Sequence, residues 1–240
     1  MSSRPRSRQC TRNGWLRKLG VSLLLITGIW VLSVVAFRVV APPFTPLMAI
    51  RTLEYWWRGK SVEQRWQWIK LSKIPLHVQQ AVIVAEDARY LDHWGIDLSA
   101  VGDAIEDGVG EKRVRGASTI TMQTVKNVFL WPGRSYLRKA IEAGMALLAG
   151  TVWGKRRTFE LYMNVIEWGE GIYGIDAAAR SHYGKGVEAL SSSEAAALAA
   201  ILPSPRRVSP RGLSGVARRR FLRIQREAPS VVIPESFRRD

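Results

Sequence analysis

The stretch Leu76–Gly95, LHVQQAVIVAEDARYLDHWG, starts as an apolar helix and ends in a run of polar groups. Val78, Val82 and Ala85 recur at helical spacing, and Pro75 suits an early helical position. The apolar run stops at two adjacent carboxylates, Glu86 and Asp87. Acids at a helix C-terminus meet the negative end of the macrodipole, an unfavourable place for them. Such a placement marks one of the two as a candidate catalytic group with a raised pKa. Two solvated acids are the plain alternative. His93 and Gly95 shape the next loop. His93 has no ligand-like spacing to His77 or His182, so a metal centre on it is not expected.

A second stretch, RGASTITMQTVKNVFLWPGR (Arg115–Arg134), supplies the other wall of a site. Ser118, Thr119 and Thr121 offer hydroxyls, Gln123 an amide, and Lys126 and Arg134 fixed positive charge. Gly116 permits close backbone approach, so the set suits an anionic polar ligand such as a pyrophosphate or a sugar. The glycine-lysine-serine core of a Walker loop is missing. Arg134, Arg138 and Glu142 recur every four residues and lie along one helical stripe. That stripe reads equally as part of the site or as a surface salt-bridge ladder.

The rest of the chain is helical in pattern. Ser135 caps a helix with Leu137, Ile141, Met145 and Leu148 on one face. Phe159, Tyr162, Met163 and Ile166 come next at spacings of three and four. SSSEAAALAAILPSP combines a serine cap, Glu194 in the first turn, an alanine-leucine body and Pro203 as a stop. His93–Ile105 restarts a helical pattern at Ile96–Asp97, and Gly108–Gly116 reads as an exposed loop. No strand-like alternation of any length occurs, so a mainly α fold is expected. The arginines from Arg206 onward, including the Arg218–Arg220 run, read as a solvated basic face.

The 240 residues carry a net charge of +16 and one cysteine, Cys10. No intrachain disulfide can form, and the charge calls for an anionic partner: nucleic acid, phospholipid or a phosphorylated substrate. The N-terminus chooses among these. Arg4, Arg6, Arg8, Arg12, Arg17 and Lys18 precede Leu19–Phe37, which holds no charge and approaches the roughly 20 residues a spanning helix needs. Cations on that side place the N-terminus in the cytoplasm and export the chain beyond the helix. Nucleic acid is not expected as a partner. Ala41–Pro46 is a stiff linker, and Trp56, Trp57, Trp66 and Trp68 among Arg and Lys suit either the bilayer interface or a core.

EDARYLDHWG, GASTITMQTVKN, RKAIEA and KRRTFELYMN, in this order and spacing, resemble the successive signatures of the family 51 glycosyltransferases, the peptidoglycan transglycosylases. The resemblance covers about Val78 to Val208. Since only residues 209–240 remain, a free-standing enzyme is expected rather than one joined to a penicillin-binding domain. It implies a lysozyme-like α-helical glycosyltransferase domain behind a single transmembrane helix. The expected parts are a basic tail (1–20), the spanning helix (21–41), a linker and membrane-proximal segment (42–75), the glycosyltransferase domain (76–208) and a basic C-terminal tail (209–240).

The resemblance further implies that lipid II is polymerised into β-1,4-linked glycan with inversion and release of undecaprenyl diphosphate. Glu86 would be the general base and Glu142 the second catalytic carboxylate. Lys126, Arg134 and Arg138 would steady the departing pyrophosphate. Ser118, Thr119, Gln123 and Asn127 would line the cleft, with Asp87, His93, Tyr162 and Asn164 in support. A divalent cation (Mg2+ or Mn2+) near Glu142 is allowed for, and no organic cofactor is expected. The expected partners are lipid II, the growing strand, the membrane and other cell-wall synthesis or division proteins. The expected location is a bacterial inner membrane with the catalytic domain periplasmic. Two positions depart from the family: Tyr90 stands for the usual Phe, and Met122 for the first Gln of a pair. A glycan-cleaving enzyme and a non-enzymatic membrane scaffold are the rival readings.

Overall fold

Four helices start at a hydroxyl cap, Thr45, Thr119, Ser135 or Ser191, whose side chain accepts a first-turn N–H. The computed structural model describes residues 7–99, 102, 118–133 and 135–238. Helix α1 (Ser7–Phe37) belongs to a first unit, Met1–Val40. Within it Trp15–Phe37 is long and apolar enough to cross a membrane.

The second unit, Ala41–Asp240, takes in both 42–75 and 209–240, the segments flanking the expected catalytic domain. It begins with α2 (Pro46–Trp57), where buried Thr45 accepts from Met48 N–H. Then come α3 (Leu76–Glu86), α4 (Ile120–Phe129), α5 (Tyr136–Val165), α6 (Ile175–Tyr183), α7 (Ser192–Ile201), α8 (Gly215–Glu227) and the short α9 (Glu235–Arg238). Three very short strands, β1 (Arg65–Trp66), β2 (Glu167–Gly169) and β3 (Ile172–Tyr173), form a sheet of order β1-β3-β2. β1 runs parallel and β2 antiparallel to β3. Pairs this short leave no alternation to read in a sequence, and the fold is mainly α as expected.

Helix α7 is the central element. Ser191 and Glu194 close a capping box at its start, satisfying two backbone donors reciprocally. Every residue from Ala195 to Ile201 is buried, the pattern of a helix enclosed on all sides. It packs on α3 and α8, and the core continues through Phe159, Tyr162, Met163 and Trp168. Glu86 is therefore held at the end of a helix whose residues Val78, Gln79 and Ala81 to Ala85 are buried.

Helix α5 has two halves. Gly154, at φ 67°, breaks it, a conformation that a side-chain-bearing residue adopts only at a cost. The second half enters the core. In the first half, Leu137, Ile141 and Leu148 do share a face, and that face is exposed: 74, 38 and 39%. Tyr136 and Leu147 are exposed beside them. The charged residues Arg138 and Glu142 are turned inward, 8 and 2% exposed. An ordinary surface helix of a globular domain is arranged the other way round. The tryptophans divide: Trp56 and Trp57 are exposed, Trp66 and Trp68 half-buried.

Candidate active site

Glu86 ends α3, and its side chain is 13% exposed. Gln123 Nε2 donates to one carboxylate oxygen at 3.0 Å, and Arg220 donates to the other at 2.9 Å. Burial pushes the Glu86 carboxyl above its ordinary range, opposed by the Gln123 hydrogen bond and the Arg220 charge. The unfavourable macrodipole at this helix end is also answered. Arg220 and Arg223 of α8 donate to the carbonyls of Ala85 and Val84 at 3.1 and 3.2 Å, cations placed where a helix C-terminus favours them. Arg220, read in sequence as part of a solvated face, instead belongs to the site. Its signal was hidden inside an arginine run 134 residues from its partner.

Asp87 has a different role from its neighbour. It is buried, and Oδ2 accepts from Ile120 N–H at 3.0 Å, so it sits at the N-terminus of α4, where an anion is favoured. His93 Nε2 lies 3.0 Å from both Asp87 oxygens, and Nδ1 accepts from Gly95 N–H at 3.2 Å. This pattern puts the proton on Nε2. Gly95 takes φ 115°, and a Cβ there would stand 3.1 Å from Ala146 O, so the loop after Glu86 lies directly on α5. Thr119 caps α4 and donates to Gly95 O at 2.5 Å. Asp87, His93 and Thr119 thus pin the two expected walls together, and Thr119 is buried in that joint.

On α4, Gln123 also accepts from Tyr162 O–H at 3.4 Å. Asn127 Nδ2 is engaged with Gln123 O at 2.8 Å. Among the described residues no hydrogen bond or ion pair occupies Lys126 Nζ, and burial lowers its pKa, with Glu142 opposing. Arg138 donates to Glu142 at 2.5 Å, and Lys139 donates to the other Glu142 oxygen at 2.9 Å and to Ser118 Oγ at 2.6 Å. The buried pair Arg138–Glu142 is therefore no surface ladder. Lys139, not singled out in sequence, ties Ser118 to it. Asn164 stands apart from the cleft: its amide bonds Ile69 N–H and C=O, both at 2.8 Å, bracing the segment before α3. Arg134 and the loop Gly108–Gly116 lie outside the described residues.

Two cavities meet here. The larger, about 1170 Å³, is lined by Glu86, Ser118, Lys139, Arg219, Arg220 and Arg223 among others. The smaller, about 520 Å³, is lined by Arg51, Asn127, Arg138 and Glu167 among others. Gln123, Lys126, Leu202 and Pro203 border both. No group of three or more His, Cys, Asp or Glu able to hold a metal occurs among the described residues. Glu142, with a cation on each oxygen, does not fit as a divalent-ion ligand.

A carboxylate with raised pKa lining the same cavity as an ammonium that has no ion pair among the described residues suits proton removal coupled to anion departure. The chain is similar to known proteins over most of its length. The transglycosylase family model matches residues 54–228. The biosynthetic peptidoglycan transglycosylase of Rhodospirillum centenum is 44% identical, covering 88% of this chain and 89% of the relative. Those of Caulobacter vibrioides and Cronobacter sakazakii are 46 and 39% identical over 78 and 85% of this chain, and 79 and 86% of their own lengths. With the mainly helical fold, the match over most of the chain and the acid and cation lining one cavity, the chain belongs to the transglycosylase family.

Proposed function

We propose that this protein is a peptidoglycan glycosyltransferase that polymerises lipid II, with Glu86 as general base. The observation that carries the reading is the larger cavity, which Glu86, Gln123 and Lys126 line together, with Gln123 donating to the Glu86 carboxylate. The acceptor sugar enters the larger cavity, and Glu86 removes the proton of its 4-hydroxyl. The oxygen attacks the anomeric carbon of the donor from the face opposite the pyrophosphate. The C–O bond to pyrophosphate breaks and the configuration inverts. Lys126 and Arg138, with Arg134, stabilise the charge that grows on the leaving group, the place where fixed cations act most strongly. Glu142 orients Arg138 and Lys139. No step is routed through a divalent ion, because Glu142 is already ion-paired at both oxygens.

Synthesis is favoured over glycan cleavage by the cations on the leaving-group side, which a hydrolytic carboxylate pair does not need. The apolar helix anchors the chain in the inner membrane with its basic end cytoplasmic and the catalytic unit periplasmic. The exposed Leu137–Leu148 face of α5, with Arg138 and Glu142 turned inward, suits contact with a lipid surface.

Glu86→Gln tests the reading. The amide keeps the shape and cannot take a proton, so polymerisation of lipid II in detergent should fall by about 10² or more, with folding and lipid II binding retained. Substantial turnover by this variant would remove Glu86 as the base.

A further inference from the structure

Glu86 meets a donor at each of its carboxylate oxygens, and the two donors differ in kind. Gln123 Nε2 is neutral and bonds Oε2 at 3.0 Å. Arg220 Nη2 is cationic and bonds Oε1 at 2.9 Å, sharing itself with Ala85 O at 3.1 Å. The other titratable groups around this carboxyl are Lys126 of α4 and Tyr162 of α5, and among the described residues neither hydrogen-bonds it. Arg220 touches Glu86 through one nitrogen only, while its Nε is buried without a partner. The bidentate fork that makes an arginine–carboxylate pair strong is therefore not formed. The Arg220 side chain is also partly exposed, on the wall of the larger cavity.

That wall carries more positive charge than its acids answer. Arg219 and Arg223 line it from the same helix as Arg220, and Lys126 lines it from α4. Asp87 and Asp97 line it too, but Asp87 is held by Ile120 N–H and His93, and Asp97 by Ser99 and Arg89. Glu86 is left as the carboxylate these cations share. Such a chamber attracts an anion. A group with more charge and more oxygens than a carboxylate competes with Glu86 for Arg220. The acceptor brings such a group, the pyrophosphate that it still carries.

We propose that Arg220 is an exchange residue: it holds Glu86 until the acceptor arrives, then passes to the acceptor's pyrophosphate and leaves the carboxylate to take the hydroxyl proton. The proposal rests on the glycosyltransferase reading of the same cleft. A carboxylate paired with a guanidinium is a weak base. Once that cation turns to an anion settling nearby, the carboxylate binds a proton more tightly. Glu86 is thus strengthened as a base only with the acceptor in place, and Gln123 keeps it oriented throughout.

The test uses the full chain in detergent, with a lipid-linked tetrasaccharide held at saturation as donor and lipid II titrated as acceptor. Measured against pH, kcat/KM reports the enzyme before the acceptor binds, and kcat reports the complex. In the wild type the acid limb of kcat should lie about one pH unit above that of kcat/KM, the least that a unit charge at 2.9 Å contributes. Arg220→Met should close most of this gap by moving the kcat/KM limb upward, and should raise the acceptor KM about tenfold. Arg220→Lys keeps an exchangeable charge and should keep the gap. Coincident limbs in the wild type, or a gap undiminished in Arg220→Met, overturn the exchange. The wild-type comparison decides by itself should Arg220→Met fail to fold. Absence of turnover in the wild-type protein would instead defeat the glycosyltransferase reading, leaving the two failures distinguishable.

Discussion

Replacing Arg220 by Met should move the acid limb of the pH profile for lipid II polymerisation to higher pH. The guanidinium lies 2.9 Å from the Glu86 carboxylate. Two unit charges at that separation attract by about 1.4 kcal/mol in water and about 6 kcal/mol at an effective dielectric near 20. Arg220 is 26% and Glu86 13% exposed along their side chains, so the pair is partly shielded and the water value is the floor of the effect. That floor corresponds to about one pH unit. The sign comes from the role: a general base works ionised, activity rises with pH through its pKa, and losing a neighbouring cation makes ionisation harder. The assay is kcat/KM against pH, which reports the free enzyme. Arg220→Lys keeps the charge and should leave the limb near its wild-type place. A uniform loss of rate in Arg220→Met with the limb unmoved would refute the electrostatic role and leave Arg220 a packing residue.

Lys126→Met should lower kcat about a hundredfold with a smaller change in KM. Because burial disfavours the Lys126 ammonium, Tm measured in the same preparation should hold or rise. Asp87→Asn weakens a buried anion's bonds to Ile120 N–H and His93; the expected loss is about 2 kcal/mol in urea unfolding. On α5 the usual order of mutational costs should be reversed. Leu137→Ser should change stability by less than about 0.5 kcal/mol, whereas Glu142→Ala, which leaves Arg138 buried and unpaired, should cost roughly 3 kcal/mol. A larger cost for Leu137→Ser than for Glu142→Ala would show that α5 packs the ordinary way round.

Local signals in the sequence carried far. Ser135 and Ser191 cap the helices where their patterns place them, and the apolar run before Glu86 is buried helix. Periodicity shows that Leu137, Ile141 and Leu148 share a face, yet it is silent on which medium that face meets. Both lipid and protein core accept leucine. The role of Asp87 was hidden because its partners are one backbone N–H and a histidine, which no spacing rule links. Asn164 was hidden for the same reason, its bonds reaching Ile69, 95 residues away. Arg220 was concealed by its own surroundings, since one arginine among many carries no mark of the carboxylate it meets.

The inverted polarity of α5 bears on how the reaction is measured. A helix with its side chains is about 10–12 Å across, and Arg138 and Glu142 occupy the side opposite the apolar stripe. With that stripe against hydrocarbon, Arg138, the cation proposed to meet the leaving group, would stand about one helix diameter above it, close to the depth of lipid headgroups. A pyrophosphate carried on a lipid tail already floats at that depth. The tail need not be drawn into water, which would oppose binding by about 0.8 kcal/mol for each methylene exposed. Encounter between enzyme and substrate then takes place in a sheet rather than a volume. Saturation should track molecules of substrate per unit of membrane area, so diluting lipid II with inert lipid should slow the enzyme, while diluting the suspension with buffer should leave each vesicle's rate unchanged.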